Sequence, residues 1–225
     1  MQRLTLDDVA AHPDDFSHVV VLPPQPPITF RPLLPDDAPR LAAFLARLSP
    51  QTRARATYPG YDLATAQEMC AAIARYDKLR MVATLPQAPE PRIIACFEFS
   101  FDVVEADKRR YAGYGLPLDE ATDCRFGPCI ADAYQNRGLG SALLPPMLDL
   151  ARRFGQRRII LWGGVLADNH RAIHFYRKHG FRLLGKFTNN QNEVCYDMIR
   201  GVDFRFWTLN TFTPHSQQRA TEQKP

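Results

Sequence analysis

The apolar and polar positions of this chain alternate between the period of a helix and the short apolar runs that are typical of strands. Leu41, Phe44, Leu45 and Leu48 follow the i, i+3, i+4, i+7 spacing of a helix, and the Pro-Asp-Asp sequence at 35–37 is a helix-start signal. Further helices are predicted over residues 63–74, 138–154 and 168–180. Strands are predicted over residues 28–33, 79–85, 92–101, 125–131, 157–166, 181–187 and 193–201.

The two ends of the chain and one internal stretch depart from this pattern. Residues 1–27 are predicted to be an N-terminal extension that ends in a proline-rich spacer, PPQPP. The main domain is expected over residues 28–212, and the polar residues 213–225 are expected to be a disordered tail. Inside the domain, the polar residues 103–123 are predicted to form a long loop, and such loops are often functional.

Composition and charge exclude several classes of protein. Hydrophobic residues make up 45% and charged residues 23%, as in an ordinary globular protein, and the net charge of +4 is too small and dispersed to indicate nucleic-acid binding. The N-terminal sequence lacks the pattern of a signal peptide, and no apolar run is long enough to span a bilayer, so we expect a cytoplasmic protein with no membrane partner. The five cysteines include no Cys-x-x-Cys pair, which argues against a disulfide framework or a zinc site.

The sequence YQNRGLGSALL, at 134–144, has the glycine pattern of a loop that lets backbone N–H groups approach a phosphate. A Walker A loop would need Lys and then Ser or Thr after Gly140, where this chain has Ser-Ala-Leu. A Rossmann fingerprint would need a small residue at position 143, which is Leu143, and a carboxylate after the next strand. Neither pattern fits. A plain turn in which the glycines serve only packing stays as an alternative.

A second motif, DNHRAIHFYRKHGF at 168–181, follows the first, and the two are joined in the order strand, loop, helix, strand, helix. Together, the Q-x-x-G-x-G motif at 135–140 and this second motif resemble the GCN5-related N-acetyltransferase (GNAT) superfamily. The resemblance implies a single α/β domain with a mixed, mostly antiparallel sheet of about six or seven strands, flanked by helices and splayed beside the coenzyme loop. It implies acetyl-CoA as cosubstrate, no metal, and diphosphate contacts at Gln135, Asn136, Arg137, Gly138, Leu139, Gly140, Ser141 and Ala142.

The resemblance also assigns chemistry to positions outside the loop. The main chain of Cys129, Ile130 and Ala131 would bind the pantetheine and the thioester. Asn169 would contact the coenzyme in addition to capping a helix, and Tyr176 would be the general acid that assists thiolate departure.

The general base is less clear from the sequence. Glu98, projecting from its strand on the side opposite Phe97 and Phe99, is our first candidate. A carboxylate that faces solvent or pairs with an arginine explains Glu98 equally well. Asp132 is interpreted as a turn residue.

The sequence therefore predicts transfer of the acetyl group of acetyl-CoA to a primary amine by direct attack in a ternary complex. The acceptor could be a small molecule or a protein amine, and a homodimer is common in the superfamily. Gly163 and Gly164, inside the predicted strand 157–166, would give the acceptor room. The alternative from another functional class is an inactive acyl-CoA-binding or partner-docking module.

Overall fold

In the described part of the chain, nine strands form one open, mostly antiparallel sheet with helices on both faces. A computed structural model describes residues 3–56, 58–72, 77–87 and 90–203, so the predicted tail 213–225 and the end of the predicted helix 63–74 lie outside it. The strands are β1 (His18–Val20), β2 (Ile28–Pro32), β3 (Lys78–Leu85), β4 (Arg92–Ser100), β5 (Asp123–Ile130), β6 (Arg158–Leu161), β7 (Val165–Leu166), β8 (Arg182–Thr188) and β9 (Val194–Gly201).

The sheet runs β1-β2-β3-β4-β5-β6-β9 by pairing of neighbours, and only β5 and β6 are parallel. β6 and β7 both pair with β9, which also pairs with β8. The predicted mixed, mostly antiparallel sheet is confirmed. It exceeds the predicted six or seven strands because the N-terminal segment contributes β1 and because the predicted strand 157–166 is divided into β6 and β7.

A turn at Gly163 and Gly164 causes this division, so the prediction of one continuous strand was wrong. Both glycines have positive φ, 71° and 72°, which residues with a Cβ rarely adopt. The Gly164 N–H donates to the Leu161 carbonyl at 3.2 Å and closes the turn. A Cβ at Gly164 would lie 2.8 Å from both the Phe187 ring and the Tyr196 carbonyl oxygen, so β8 and β9 also require glycine there.

The helices of the described residues are α1 (Leu6–Ala11), α2 (Ala38–Ala46), α3 (Pro50–Arg53), α4 (Leu63–Ala71), α5 (Glu105–Gly113), α6 (Leu139–Arg153) and α7 (His170–Lys178). α5 lies where the sequence predicted a loop, and that prediction was wrong. Its polar composition hid the helix, which docks through two buried side chains, Asp107 and Tyr111. Tyr111 packs on Ile160 and Ile199, and its hydroxyl donates to the Met198 carbonyl at 2.9 Å.

Two apolar clusters cover the two faces of the sheet. The larger one includes buried residues of α1, α6 and α7, and the smaller one is formed with α2 and α4. β4 alternates between them: Phe97 and Phe99 belong to the larger cluster, whereas Cys96 belongs to the smaller one. Glu98, two residues after Cys96, therefore projects on the α2 and α4 side, as predicted.

The N-terminal segment is held against the same core. β1 pairs with β2, and Phe16 is buried in the larger cluster. Arg3 donates to the carbonyls of Phe154 and Ala121, next to the end of α6. The boundaries at residues 27 and 212 stay predictions. No helix in the described ranges combines the length and apolarity that crossing a membrane requires.

Candidate active site

A cleft of about 550 Å³ opens where β5 separates from β6. The two strands pair in parallel only as far as Phe126 and Leu161. One further hydrogen bond joins them, from the Trp162 N–H to the Phe126 carbonyl at 3.0 Å. Beyond it, the end of β5 and the Gly163–Gly164 turn line opposite parts of the cleft, so the predicted splay of the sheet is confirmed.

The main chain of β5 offers alternate residues to this opening. The Ala131 N–H donates to the Ile94 carbonyl at 2.9 Å, so Ala131 faces β4. Because antiparallel ladders alternate, the main chain of Cys129 also faces β4, whereas Ile130 faces the opening. Of the three residues predicted to bind through their main chain, Ile130 is the one whose N–H and carbonyl border the cleft.

The coenzyme-loop motif lies at the N-terminus of α6, on the same cleft. Gly138 caps the helix with φ 80°, a left-handed conformation, and Asn136 also has positive φ. The first hydrogen bond of α6 runs from the Ala142 N–H to the Gly138 carbonyl. The N–H groups of residues 139–141 precede that bond and are free to bind an anion at the positive end of the helix dipole.

The two glycines of the motif are required for different reasons. Gly138 is required by its φ, since the nearest atom to an added Cβ would be a Leu22 methyl 3.7 Å away. A Cβ at Gly140 would lie 3.2 Å from the Phe175 ring and 3.3 Å from Ile130. The packing role that the sequence left as an alternative is therefore present at Gly140.

Hydrogen bonds tie the coenzyme loop to the opposite wall of the cleft. Gln135 donates to the Ile130 carbonyl at 2.7 Å and to the Thr52 hydroxyl at 3.2 Å. Asp132 accepts from the Ser49 N–H, the Ser49 hydroxyl and the Thr52 hydroxyl at 2.9, 2.6 and 2.7 Å. Although desolvation opposes them, these bonds lower the pKa of Asp132. Asp132 is thus more than the turn residue that the sequence suggested.

Glu98 lies in the cleft as one half of a buried ion pair. It faces Arg80 across the β3–β4 ladder, with the Arg80 Nε atom 2.5 Å from its Oε1 atom. Its side chain is 4% exposed and that of Arg80 is 9% exposed. Burial raises the pKa of Glu98, and the positive charge of Arg80 opposes that rise. Glu98 therefore pairs with an arginine, as the alternative to a general base predicted, and it also lines the cleft.

α7 brings Tyr176 and Asn169 to the same cleft. Tyr176 packs on Phe175 and Phe181, with ring centroids 5.4 and 5.2 Å apart. Burial raises the pKa of Tyr176 well above its usual value, so its hydroxyl stays protonated at neutral pH. The Asn169 side chain accepts from the Ala172 N–H at 3.2 Å and caps α7, as predicted.

Two cleft residues carried no signal in the sequence. Pro128 lies near the end of β5, and Trp162 directly follows β6. The Arg125 guanidinium lies over the Trp162 ring, with its central carbon 4.8 Å from the centroid of that ring. Within the described residues, no three His, Cys, Asp or Glu side chains are grouped so that they could hold a metal ion.

The comparisons with known proteins agree with this architecture. Residues 92–181 match the model of the Acetyltransferase (GNAT) family. No curated protein sequence matches the chain significantly. Solved structures with the same fold include the GNAT domain of S. lividans PAT, with 22% identity, TM-score 0.61, and coverage of 84% of this chain and 98% of that one.

A second solved structure is AAC(6')-Ib in complex with ribostamycin and coenzyme A, with 20% identity, TM-score 0.59, and coverage of 81% of this chain and 98% of that one. A third is a GNAT-family acetyltransferase from Streptococcus pneumoniae, with 23% identity, TM-score 0.57, and coverage of 77% and 98%. Identities this low establish the fold alone. Together with the family match, they lead to one conclusion: residues 92–181 are similar to the GNAT acetyltransferase family, and the chain has the fold of GNAT acetyltransferases.

Proposed function

We propose that this protein transfers the acetyl group of acetyl-CoA to a primary amine, by direct attack in a ternary complex and without a metal. The observation that carries the proposal is the shared cleft. It joins the open edge of β5, the N-terminus of α6, a carboxylate at Glu98 and a phenol at Tyr176. No single one of these features would require an acyltransferase, but their combination matches what amine acylation needs.

The coenzyme would bind along the opening. Its diphosphate would accept hydrogen bonds from the N–H groups of residues 139–141, with the positive end of α6 favouring its charge, whereas the predicted N–H contact of Ala142 is replaced by its bond to the Gly138 carbonyl. Its pantetheine would pair with the main chain of Ile130. Asn169 would contact the coenzyme from the start of α7, and the cleft-lining cations Arg171 and Lys178 would add to the attraction.

The reaction would begin with a neutral amine, because an ammonium has no lone pair. An alkylamine with pKa near 10.4 is neutral in only about one molecule in a few thousand at pH 7, so a base must take its proton. The amine nitrogen then bonds to the thioester carbon, and the carbonyl electron pair moves to oxygen. When that pair returns, the carbon–sulfur bond breaks, the nitrogen gives up the proton that it carries in excess after the attack, and the leaving thiolate takes up that proton to become coenzyme A.

Glu98 would take the proton from the amine, directly or through water. Arg80 would hold the carboxylate in place and oppose the rise in its pKa that burial causes. Tyr176 would donate a hydrogen bond to the departing sulfur. Since its pKa is raised, it suits hydrogen bonding to the thiolate better than complete proton transfer.

The acceptor would be a small-molecule or protein amine. Structural neighbours have been solved with coenzyme A together with ribostamycin or kanamycin. We place the enzyme in the cytoplasm, since all five cysteines are free and buried, as suits a reducing compartment, and we allow for a homodimer.

A second candidate is an inactive acyl-CoA-binding module. Two observations favour it. Glu98 is already paired with Arg80, and Pro128 has no N–H to offer to the opening.

Release of free thiol from acetyl-CoA, measured with a panel of amines, separates the two candidates. Mass spectrometry of the ligand retained through purification identifies the donor in the same preparation. Turnover with at least one amine supports the enzyme, whereas tight coenzyme A binding without turnover, and without any effect of Tyr176→Phe, supports the module.

A further inference from the structure

A main-chain donor is missing from the open edge of β5. Phe126 faces β6, as its bond to Trp162 demonstrates, so Pro128 and Ile130 face the opening by alternation. Proline has no N–H, and the strand tolerates it here because no neighbouring strand needs a donor at this position. The next donor along the edge, the Ile130 N–H, is two residues or about 6.6 Å further along the strand.

This gap matters because acyl transfer develops negative charge on the carbonyl oxygen. An N–H group aimed at that oxygen is worth about 10²–10³ in kcat in enzymes where it has been removed. On the edge of β5 that faces the opening, the position at 128 has no donor, and the next N–H, that of Ile130, is the one assigned above to the pantetheine. With the Ile130 N–H used by the pantetheine, a donor for the oxyanion would come from another element of the cleft.

The segment across the opening supplies an N–H. Beyond the last β5–β6 pair, Phe126 with Leu161, Pro128 on β5 and Gly163 in the turn after β6 both line the cleft. Gly163 is the third residue of the turn closed by the Gly164 N–H and the Leu161 carbonyl, and its positive φ fits that position of a type II turn. Such a turn uses the N–H of its fourth residue and leaves that of its third unused.

The Gly163 N–H has no hydrogen-bond acceptor among the described residues. Gly163 also lines the cleft together with Pro128 and Trp162. From this juxtaposition we infer that the Gly163 N–H is the oxyanion donor of this enzyme, in place of the N–H that Pro128 lacks. The inference rests on the proposed function, because it assigns a role only within acetyl transfer. The inference also gives the turn at Gly163 and Gly164 a role other than making room for the acceptor amine.

The test replaces the nitrogen of Gly163 by oxygen. Glycolic acid incorporated at position 163 in a cell-free system converts one amide to an ester, removes a single N–H and adds no side chain. The matched control carries glycolic acid at Gly113, which ends α5 and does not line the cleft. The first readout is the carbonyl stretch of bound acetyl-CoA labelled with ¹³C at the acetyl group, and the second is kcat for thiol release.

We expect the carbonyl band of bound acetyl-CoA to lie below its frequency in water, and to return towards that value only with the ester at 163. We expect kcat to fall about 100-fold or more with the ester at 163. Adding Pro128→Ala to the ester at 163 restores an N–H to the opening and should recover most of the lost rate.

A band and a kcat that are unchanged by the ester at 163 overturn the inference while leaving the enzyme intact, and they point to the Trp162 indole or the Tyr176 hydroxyl instead. Failure of the unmodified protein to bind acetyl-CoA overturns the proposed function and this inference with it. If acetyl-CoA binds and its carbonyl band shifts, and the ester at 163 reverses that shift, but no amine is acetylated, then only the proposed catalysis is overturned. The contact of the Gly163 N–H with the carbonyl oxygen then stands.

Discussion

Removal of the Arg80 charge should move the pH dependence of the reaction, because Arg80 opposes the effect of burial on the pKa of Glu98. Arg80→Met keeps the length of the side chain and removes its charge and hydrogen bonds. The two groups are 2.5 Å apart and almost fully buried, so solvent screens them little. An opposite charge at this range lowers the pKa of a carboxyl by about 1–3 units, and its loss should raise the pKa of Glu98 by a similar amount.

The sign of the effect on rate follows from the protonation state that the base requires. Below the pKa of Glu98, the carboxyl must lose a proton before it can take one from the ammonium of the acceptor, so log kcat/KM rises with a slope of about one. Above that pKa the carboxylate is already ionised, and the slope falls to about zero. In Arg80→Met the change of slope should move about 1–3 pH units towards alkaline pH, since Arg80 lowers the pKa of Glu98 in the native protein.

The assay is thiol release under subsaturating amine over a pH series, at a temperature where both proteins are folded. Breaking a buried ion pair costs about 3–5 kcal/mol of stability, so a matched control is needed. Arg31→Met breaks another buried pair, Arg31 with Asp37 at 2.6 Å, among residues that do not line the cleft. A slope change that stays at the same pH in Arg80→Met, or that moves equally in Arg31→Met, would refute the assignment of Glu98 as the base.

Three further substitutions test the rest of the cleft. Tyr176→Phe should lower kcat about 10- to 100-fold and leave the Kd of coenzyme A, measured by calorimetry, unchanged. In the native protein, the raised pKa of Tyr176 predicts no decline of kcat below about pH 10. Gly140→Ala should lower stability by about 1–3 kcal/mol in thermal melts, because the new Cβ presses on Phe175 and Ile130. Asp132→Asn should raise the KM of the acceptor more than that of acetyl-CoA in bisubstrate kinetics, since Asp132 holds the start of α3; equal changes in both would count against this role.

The sequence predicted the features that arise from local chemistry. The glycines at 138 and 140, the cap at Asn169 and the alternation around Glu98 all follow from residues within a few positions of one another, and the structure places them as expected. The helix α5 was missed for the opposite reason. Its identity depends on Tyr111 docking against a distant part of the sheet, which the local polar pattern does not record.

The remaining features depend on contacts between segments that are far apart along the chain. Asp132 and Ser49 are separated by 83 positions, and no pattern around either residue points to the other. The role proposed for Pro128 follows only from the cleft that it lines together with Gly163, beyond the last β5–β6 pair. The sequence suggested that the glycine pair at 163–164 made room, whereas the structure assigns it to a turn and to the close approach of β8 and β9.

The central claim is that backbone N–H groups at the start of α6 bind the diphosphate of a coenzyme. Its most direct test is the amide ¹H–¹⁵N spectrum of the protein titrated with coenzyme A and, separately, with pantetheine, which lacks the diphosphate. We predict large downfield shifts of the N–H resonances of residues 139–141 with coenzyme A and not with pantetheine. Saturable coenzyme A binding that leaves these three resonances in place would contradict the claim.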